Sequence, residues 1–569
     1  MSSSKIKIGI ISLSILFANI SFIQDALSQT NVQNNNSAQK INFTDTLASF
    51  KYIIDKEALT VYTNRDSEEQ KDSSTYNAIQ EKPRFYKNFE SGRIGAIKYC
   101  VTDTLLLSYE IYTEKDPDNP IDILAPSSRW FYFLMTGVKG KEVAIKMVGS
   151  DAVAPVYSYD NINWQRYSYN DEATKDYRIT KKYTRDSVYI AYYVPYTNKH
   201  LKEKIEDWQY RNGVRVFSLG ESHLGKEMNM LVVTNDYVPD KEKKRVYIHA
   251  RVHPSETPCS WALEGLIDYL TGTSQQAIEM RNKTVFFILP FSNPDGVELG
   301  YSRCDAIGVN MEINYDQPDS LTRPEVKNIK KFINTTTYGN NHLDMILNFH
   351  SQISPNFTYW IHTEKSTSKK YYQKELTFAV LTTDDNHYAD KKHLSFSDVA
   401  PRYIEGYIWD RAKEKTIALT HETPYSYYNK DESGQWVTID NLKEIGIKTL
   451  YSIFEYLNIS TSERIVIHPQ SEKKLITKND DDHLYLGEKY FEAKKNNVKV
   501  KYKYDNLKKG NYLIYRWIVG EVQPLEREDE NCWELIGGHN QKNNGTFEYD
   551  WVVNKGDKIN AIRLVKKED

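Results

Sequence analysis

His253 and Glu256 lie three residues apart in RVYIHARVHPSETPCSWALEGLIDYL, where an apolar, β-branched run gives way to a stretch of helical character. A second apolar run, MILNFH, ends in His350. Two imidazoles and one carboxylate form a donor set that suits Zn2+ and leaves the open position a catalytic ion requires. Hydrolysis at such an ion also needs a carboxylate base that does not bind it, and KTIALTHE ends in Glu422, which could take a proton from water and hand it to a leaving group. Each residue has a plainer reading. A histidine ending a buried run is often a core or capping residue, Glu256 in a first helical turn favours the helix dipole, and Glu422 could be an ordinary loop carboxylate.

Such residues need a sheet to bring them together. MNMLVVT, RVYIHARV, VFFILPF, MILNFH and TIAL read as strands alternating with amphipathic stretches such as CSWALEGLIDYL, the signature of an α/β layer on a mainly parallel or mixed sheet. Open sheets of this kind place their sites beyond the carboxyl ends of the strands, which is where His253 and His350 fall. The segment closes on LKEIGIKTLYSIFEYL, a helix in which Ile445, Leu450 and Ile453 can share one face. Before it, IGAIKYCV, TLLLSYEIY, RWFYFLMTGV, EVAIKMV and VYIAYYVPY have strand length and hairpin spacing, which predicts a β-sandwich. After it, VKVKYKY, NYLIYRWIVG and TFEYDWVV predict a small C-terminal β domain with no visible catalytic cluster.

The chain has 569 residues, so two or three domains are expected. Forty-three tyrosines agree with extensive sheet. With 74 basic against 77 acidic residues there is no basic surplus for a phosphate backbone, and nucleic acid is not expected as a partner. Lys5 and Lys7 precede an apolar run from Ile8 to Ile23, and Ala26-Leu27-Ser28 supplies a small-x-small cleavage site. That is the layout of a secretory signal peptide, the alternative being an uncleaved anchor, and it predicts a periplasmic or extracellular mature chain without stable transmembrane insertion. Four cysteines are too few for a stapled scaffold. The expected organisation is signal peptide 1–28, spacer and N-terminal segment 29–84, β-sandwich 85–210, α/β domain 211–458 and small β domain 459–569.

In order along the chain, HARVHPSETPCSW, FSNPDGVELGYSRC, NFHS and ALTHE resemble the zinc carboxypeptidase family, in its cytosolic-carboxypeptidase-like branch. FESG, WFYF, INWQR and YYVPYT resemble the β-sandwich that precedes the catalytic domain in that branch, so the likeness spans roughly residues 85–455. The resemblance implies an α/β, mixed-sheet catalytic domain between a β-sandwich and a small β domain, with one Zn2+ per chain. It implies His253, Glu256 and His350 as ligands, Glu422 as general base and acid, and Arg303 as the cation that stabilises the oxyanion. It also exposes a departure. The family's Asn-Arg pair, which grips a terminal carboxylate, is replaced here within IGVNMEINYDQP by Glu312 and Ile313, or with a one-residue slip by Asn314. Arg323, Arg402 and Lys413 lie within the same domain, and folding could bring any of them across to replace the arginine. Tyr403, Tyr407, Tyr425 and Tyr427 all lie near the region of the family's substrate-side tyrosine, with Tyr407 taken as the candidate. His421 should face away from Glu422, as core or as support for the base. Cys259 and Cys304 are packing residues or a disulfide behind the site.

The sequence admits three functions. The first is an exported zinc hydrolase cleaving an amide bond in a peptide, glycopeptide or cell-envelope substrate. The second keeps the ion and changes the bond, to an ester or a non-peptide amide. The third is a non-catalytic, metal-containing binding module.

Overall fold

A computed structural model describes residues 82–567 apart from 101–105, 122–125, 153, 168–177, 338–340, 354–356, 385, 391–392, 429–434, 471–472 and 523–531. The expected signal peptide, and the spacer up to residue 81, lie outside the described residues. No helix among the described residues is long and apolar enough to cross a membrane.

The first body is built from short alternating strands, as the hairpin spacing predicts. Strands β1 (Arg84–Tyr86), β4 (Tyr132–Thr136), β6 (Val156–Ser158), β7 (Trp164–Arg166) and β9 (Ser187–Ala191) form one sheet in the order β1-β4-β9-β6-β7. Strands β2 (Ile97–Cys100), β3 (Leu107–Tyr112), β5 (Glu142–Val148) and β8 (Arg178–Lys182) form the other, in that order. Phe131, Phe133, Ile145 and Ile190 are completely buried between them. The WFYF run is therefore core, which is where its aromatic area is most stabilising.

The α/β body holds a mixed eight-stranded sheet. Its strands are β10 (Val214–Glu221), β11 (Glu227–Val233), β12 (Lys244–Ala250), β13 (Thr284–Leu289), β14 (Met345–Gln352), β15 (Thr358–His362), β16 (Ser395–Ser397) and β17 (Ile417–Pro424), in the order β10-β11-β13-β12-β14-β17-β15-β16. The central four, β13, β12, β14 and β17, run parallel. Their near-continuous apolar character reflects burial on both faces. On one face the helices Thr257–Leu270 and Ile439–Tyr456 meet at glycines. A Cβ on Gly265 would lie 2.4 Å from the Lys443 backbone, and one on Gly446 would lie 1.9 Å from the Ala262 carbonyl oxygen. Only glycine permits that approach. The other face carries a second core of Tyr247, Ile346, Val326, Ile333 and Tyr407.

The C-terminal β region, from Arg464–Ile467 to Ile562–Lys566, has its own core around Val500, Tyr502 and Leu564. Trp517 and Trp533 pack into the large core shared with the α/β body. Arg563 is buried between the two, 2.9 Å from Asp384 and 3.1 Å from Glu455. Removing one member of such a network strands the others, so Arg563→Ala should lower the unfolding free energy by roughly 3–5 kcal/mol. Denaturant titration checks this, and a change below about 1 kcal/mol would show that the network is not a structural tie.

Candidate metal centre

Strand β12 ends at Ala250, and Arg251 turns the chain with a left-handed φ of 57°. That conformation is costly for a non-glycine residue and is held by its surroundings. The buried guanidinium donates to the Tyr196 carbonyl at 3.0 Å, the Ser260 hydroxyl at 3.1 Å and the Pro254 carbonyl at 2.5 Å. The turn delivers His253 and then Glu256, which sits at the cap of the Thr257–Leu270 helix. His350 comes from β14, beside β12.

The three side chains converge. His253 Nδ1 is 2.9 Å from Glu256 Oε1, His350 Nδ1 is 2.9 Å from Glu256 Oε2, and the two Nδ1 atoms are 3.1 Å apart. All three residues are buried. Burial alone would raise the Glu256 pKa, but the two imidazoles more than offset it and hold the carboxyl well below the usual range.

A second carboxylate reaches the same place. The short turn Met311–Ile313 carries Glu312 back so that its Oε2 lies 3.2 Å from His253 Nε2 and 2.8 Å from an Arg303 nitrogen. Asn310 Oδ1 also lies 3.2 Å from His253 Nε2. His253, Glu312 and His350 also bring donor atoms within 4.8 Å of one another, close enough that they could hold an ion together. Two carboxylates thus flank His253, Glu256 on its Nδ1 side and Glu312 on its Nε2 side.

Glu422 faces this cluster from β17. In the parallel ladder it is the direct partner of His350, so both side chains leave the same face of the sheet. Its Oε2 is buried without a hydrogen-bond partner. Burial first, then the Glu256 charge, pushes its pKa up to about 8. Burial works against the charge of Arg303, and the carboxylates of Glu312 and Glu256 more than offset that. A further cation comes from the β-sandwich: Arg129 pairs with Asp151 at 3.0 Å, lies 5.9 Å from the Tyr425 ring and is within the field of Glu256.

Several residues proposed from sequence are used otherwise. Tyr407 belongs to the second core, its hydroxyl donating to Asn334 at 2.9 Å, because its helix turns that face to the sheet. Asn314 accepts from the Arg323 amide at 2.7 Å and shapes a turn, and Ile313 is buried beside it. His421 points away from Glu422, stacked on Phe349 at 4.1 Å, and burial lowers its pKa to about 3. Among the candidate replacement cations, Arg323 pairs with Asp305 at 2.5 Å, Arg402 lies over Tyr403 and Lys413 over Trp409. Cys259 is not in a disulfide; its thiol donates to the Glu256 carbonyl oxygen at 2.9 Å.

The donor set fits zinc. Around a tetrahedral ion with bonds of about 2.0 Å, donors stand ~3.3 Å apart, and the Nδ1–Nδ1 and Nδ1–carboxylate separations of 2.9–3.1 Å are close to that. Two imidazole nitrogens facing each other across a shared buried carboxylate have no better partner than a cation. The site suits one Zn2+ per chain.

Residues 207–407 match the zinc carboxypeptidase family, and residues 85–193 match the cytosolic carboxypeptidase N-terminal domain. The chain is 30% identical to cytosolic carboxypeptidase 6 of Mus musculus over 270 residues, 43% of this chain and 48% of that protein. It is likewise 30% identical to cytosolic carboxypeptidase 6 of Homo sapiens over 273 residues, 43% of this chain and 52% of that protein. The chain thus spans about half the length of the curated relatives it matches. A metallo-carboxypeptidase from Burkholderia cenocepacia superposes with a TM-score of 0.55 at 22% identity, covering 65% of this chain and 98% of that one, which establishes the fold. The family match ends before Glu422, so that residue rests on its register with His350.

Proposed function

We propose that this chain, which belongs to the zinc metallocarboxypeptidase family, is a zinc-dependent hydrolase of an amide bond in peptides or peptide-containing envelope or extracellular material. The observation that supports the reading is the register of Glu422 with His350, which sets the Glu422 carboxyl on the same face of the sheet as the histidine cluster. The ion would be held by His253 Nδ1, His350 Nδ1 and Glu256, since both rings turn Nδ1 toward the Glu256 carboxylate at 2.9 Å. Glu312 would back His253 through Nε2, fixing the ring as carboxylates behind metal-bound histidines do. Zinc, when bound, supplies Lewis-acid polarisation of water and carbonyl. Glu422 takes the proton from the attacking water and returns it to the leaving nitrogen. Arg303, a fixed guanidinium, carries charge that develops on the carbonyl oxygen. Purified chain loaded with zinc and offered a peptide mixture, read by mass spectrometry, tests the reading; an inert zinc-loaded chain would refute it.

The branch within the family, and export, belong to the same proposal. The two-domain match supports the cytosolic-carboxypeptidase-like branch. The basic, apolar and small-residue pattern of residues 5–28 supports a periplasmic or extracellular destination.

Specificity departs from the usual clamp. A free carboxylate beside Glu312 and Ile313 would meet an anion and a buried aliphatic side chain. A charge left without its partner costs about 3–5 kcal/mol, at least a hundredfold in kcat/KM. Peptides with amidated C-termini should therefore be cleaved better than matched free acids, and Ile313→Arg should reverse the order. This departure also favours the second reading, an ester or non-peptide amide as the scissile bond. Selective cleavage of the free acid by the unmodified protein would overturn the specificity proposal.

A further inference from the structure

We propose that Asp116, a residue of the β-sandwich, is a positioning residue for Arg303, so that the sandwich is a working part of the catalytic site. The inference rests on the hydrolase reading above. Asp116 is separated from Arg303 by most of the sandwich and half of the α/β body, yet its carboxylate accepts from three consecutive backbone amides there. Oδ1 accepts from Ser302 at 2.8 Å, and Oδ2 accepts from Arg303 at 2.7 Å and Cys304 at 3.1 Å. Asp116 is only 3% exposed. Charge-assisted bonds donated by backbone amides to a buried carboxylate are strong, and losing the acceptor leaves buried amides without partners.

The same loop makes further contacts along the segment. The Asn119 amide donates to the Ile307 carbonyl at 2.9 Å, and the Trp130 amide donates to the Ser302 hydroxyl at 3.0 Å. At Gly308, with φ at 89°, an added Cβ would lie 2.4 Å from the Pro117 carbonyl oxygen. The segment that delivers Arg303 is thus held against the sandwich at several points, with Asp116 on Arg303's own amide. Beyond it the side chain runs to Glu312, and its Nε is buried without a hydrogen-bond partner. A guanidinium that must meet a developing oxyanion gains from a fixed backbone, because a displacement near 1 Å can cost about a hundredfold in rate.

The test uses the full zinc-loaded chain and the variants Asp116→Asn, Arg303→Ala and their combination. Asp116→Asn keeps the side chain's size and is the milder change if Asp116→Ala fails to fold. It should lower kcat roughly 10–100-fold, with KM within about threefold and zinc still near one per chain. Added to Arg303→Ala, it should cause no further loss. Amide hydrogen exchange should quicken in the peptide spanning residues 301–308 and not in strands β12 and β14. Losses that multiply with those of Arg303→Ala, or unchanged exchange in 301–308, would overturn the proposal. If the parent chain hydrolyses no peptide, the hydrolase reading fails, and exchange alone then decides whether Asp116 holds this loop.

Discussion

Replacing His350 by alanine is expected to take the zinc content from about one ion per chain to near zero, and hydrolysis to background with it. The ring is one of two whose Nδ1 atoms face each other at 3.1 Å, and it shares the Glu256 carboxylate with the other. Without it, one nitrogen and one carboxylate remain on that side, too few to hold an ion against water. His253→Ala and Glu256→Ala should do the same. Glu312→Gln separates the roles of the two carboxylates. If Glu312 backs His253 through Nε2, the variant keeps the ion with an affinity reduced about 10–100-fold; if Glu312 is itself a ligand, the ion is lost. Elemental analysis after dialysis against a weak chelator reads all four variants. Full zinc occupancy in the His350 or His253 variant would mean that the metal sits elsewhere.

The parts of this centre that were legible in the sequence are those that regular strands carry. RVYIHA and MILNFH are apolar runs that become neighbouring parallel strands, so residues at their carboxyl ends are brought together by the sheet itself. The same holds for Glu422, since IALTHE forms β17 beside β14. Glu312 was not legible as part of the metal group. It is carried by a three-residue turn whose path depends on Asn310 and Asn314, and no periodicity marks such a turn. Tyr407 was misplaced for the opposite reason. It lies near the expected tyrosine in sequence, but helix Ile404–Ala412 turns that face to the second core. The contribution of the sandwich was least legible of all. Asp116 and Arg129 sit in loops of an all-β segment, and what they meet is decided by how that segment docks on the α/β body. Alternating strands such as EVAIKMV indicated a sandwich set against the α/β domain near its entrance, and which of its residues meet the site appears only in the contacts.

Glu422→Gln should leave zinc near one per chain and lower turnover by about 10²–10⁴-fold, the range general acid–base groups supply. The substitution conserves volume and removes only the capacity to hold a proton and a charge. Because Glu422 lies across from His350 in the ladder and outside the ring of Nδ1 atoms, the ion's donors are untouched. A second effect is expected in the metal-free chain. There, burial and then Glu256 push the Glu422 pKa from 4.5 up to about 8. The folded state therefore holds a proton that the unfolded state releases between those values, and the parent's stability falls as pH rises through that window. Glutamine carries no such proton. Metal-free Glu422→Gln should accordingly melt above the metal-free parent at pH 8, and the two should converge near pH 4. With the ion bound, its positive charge favours the carboxylate, and the gap at pH 8 should shrink. Zinc analysis, steady-state turnover and paired melting curves with and without chelator read the three effects. Loss of zinc from the variant would make Glu422 a ligand, and retained turnover would move the base to another residue.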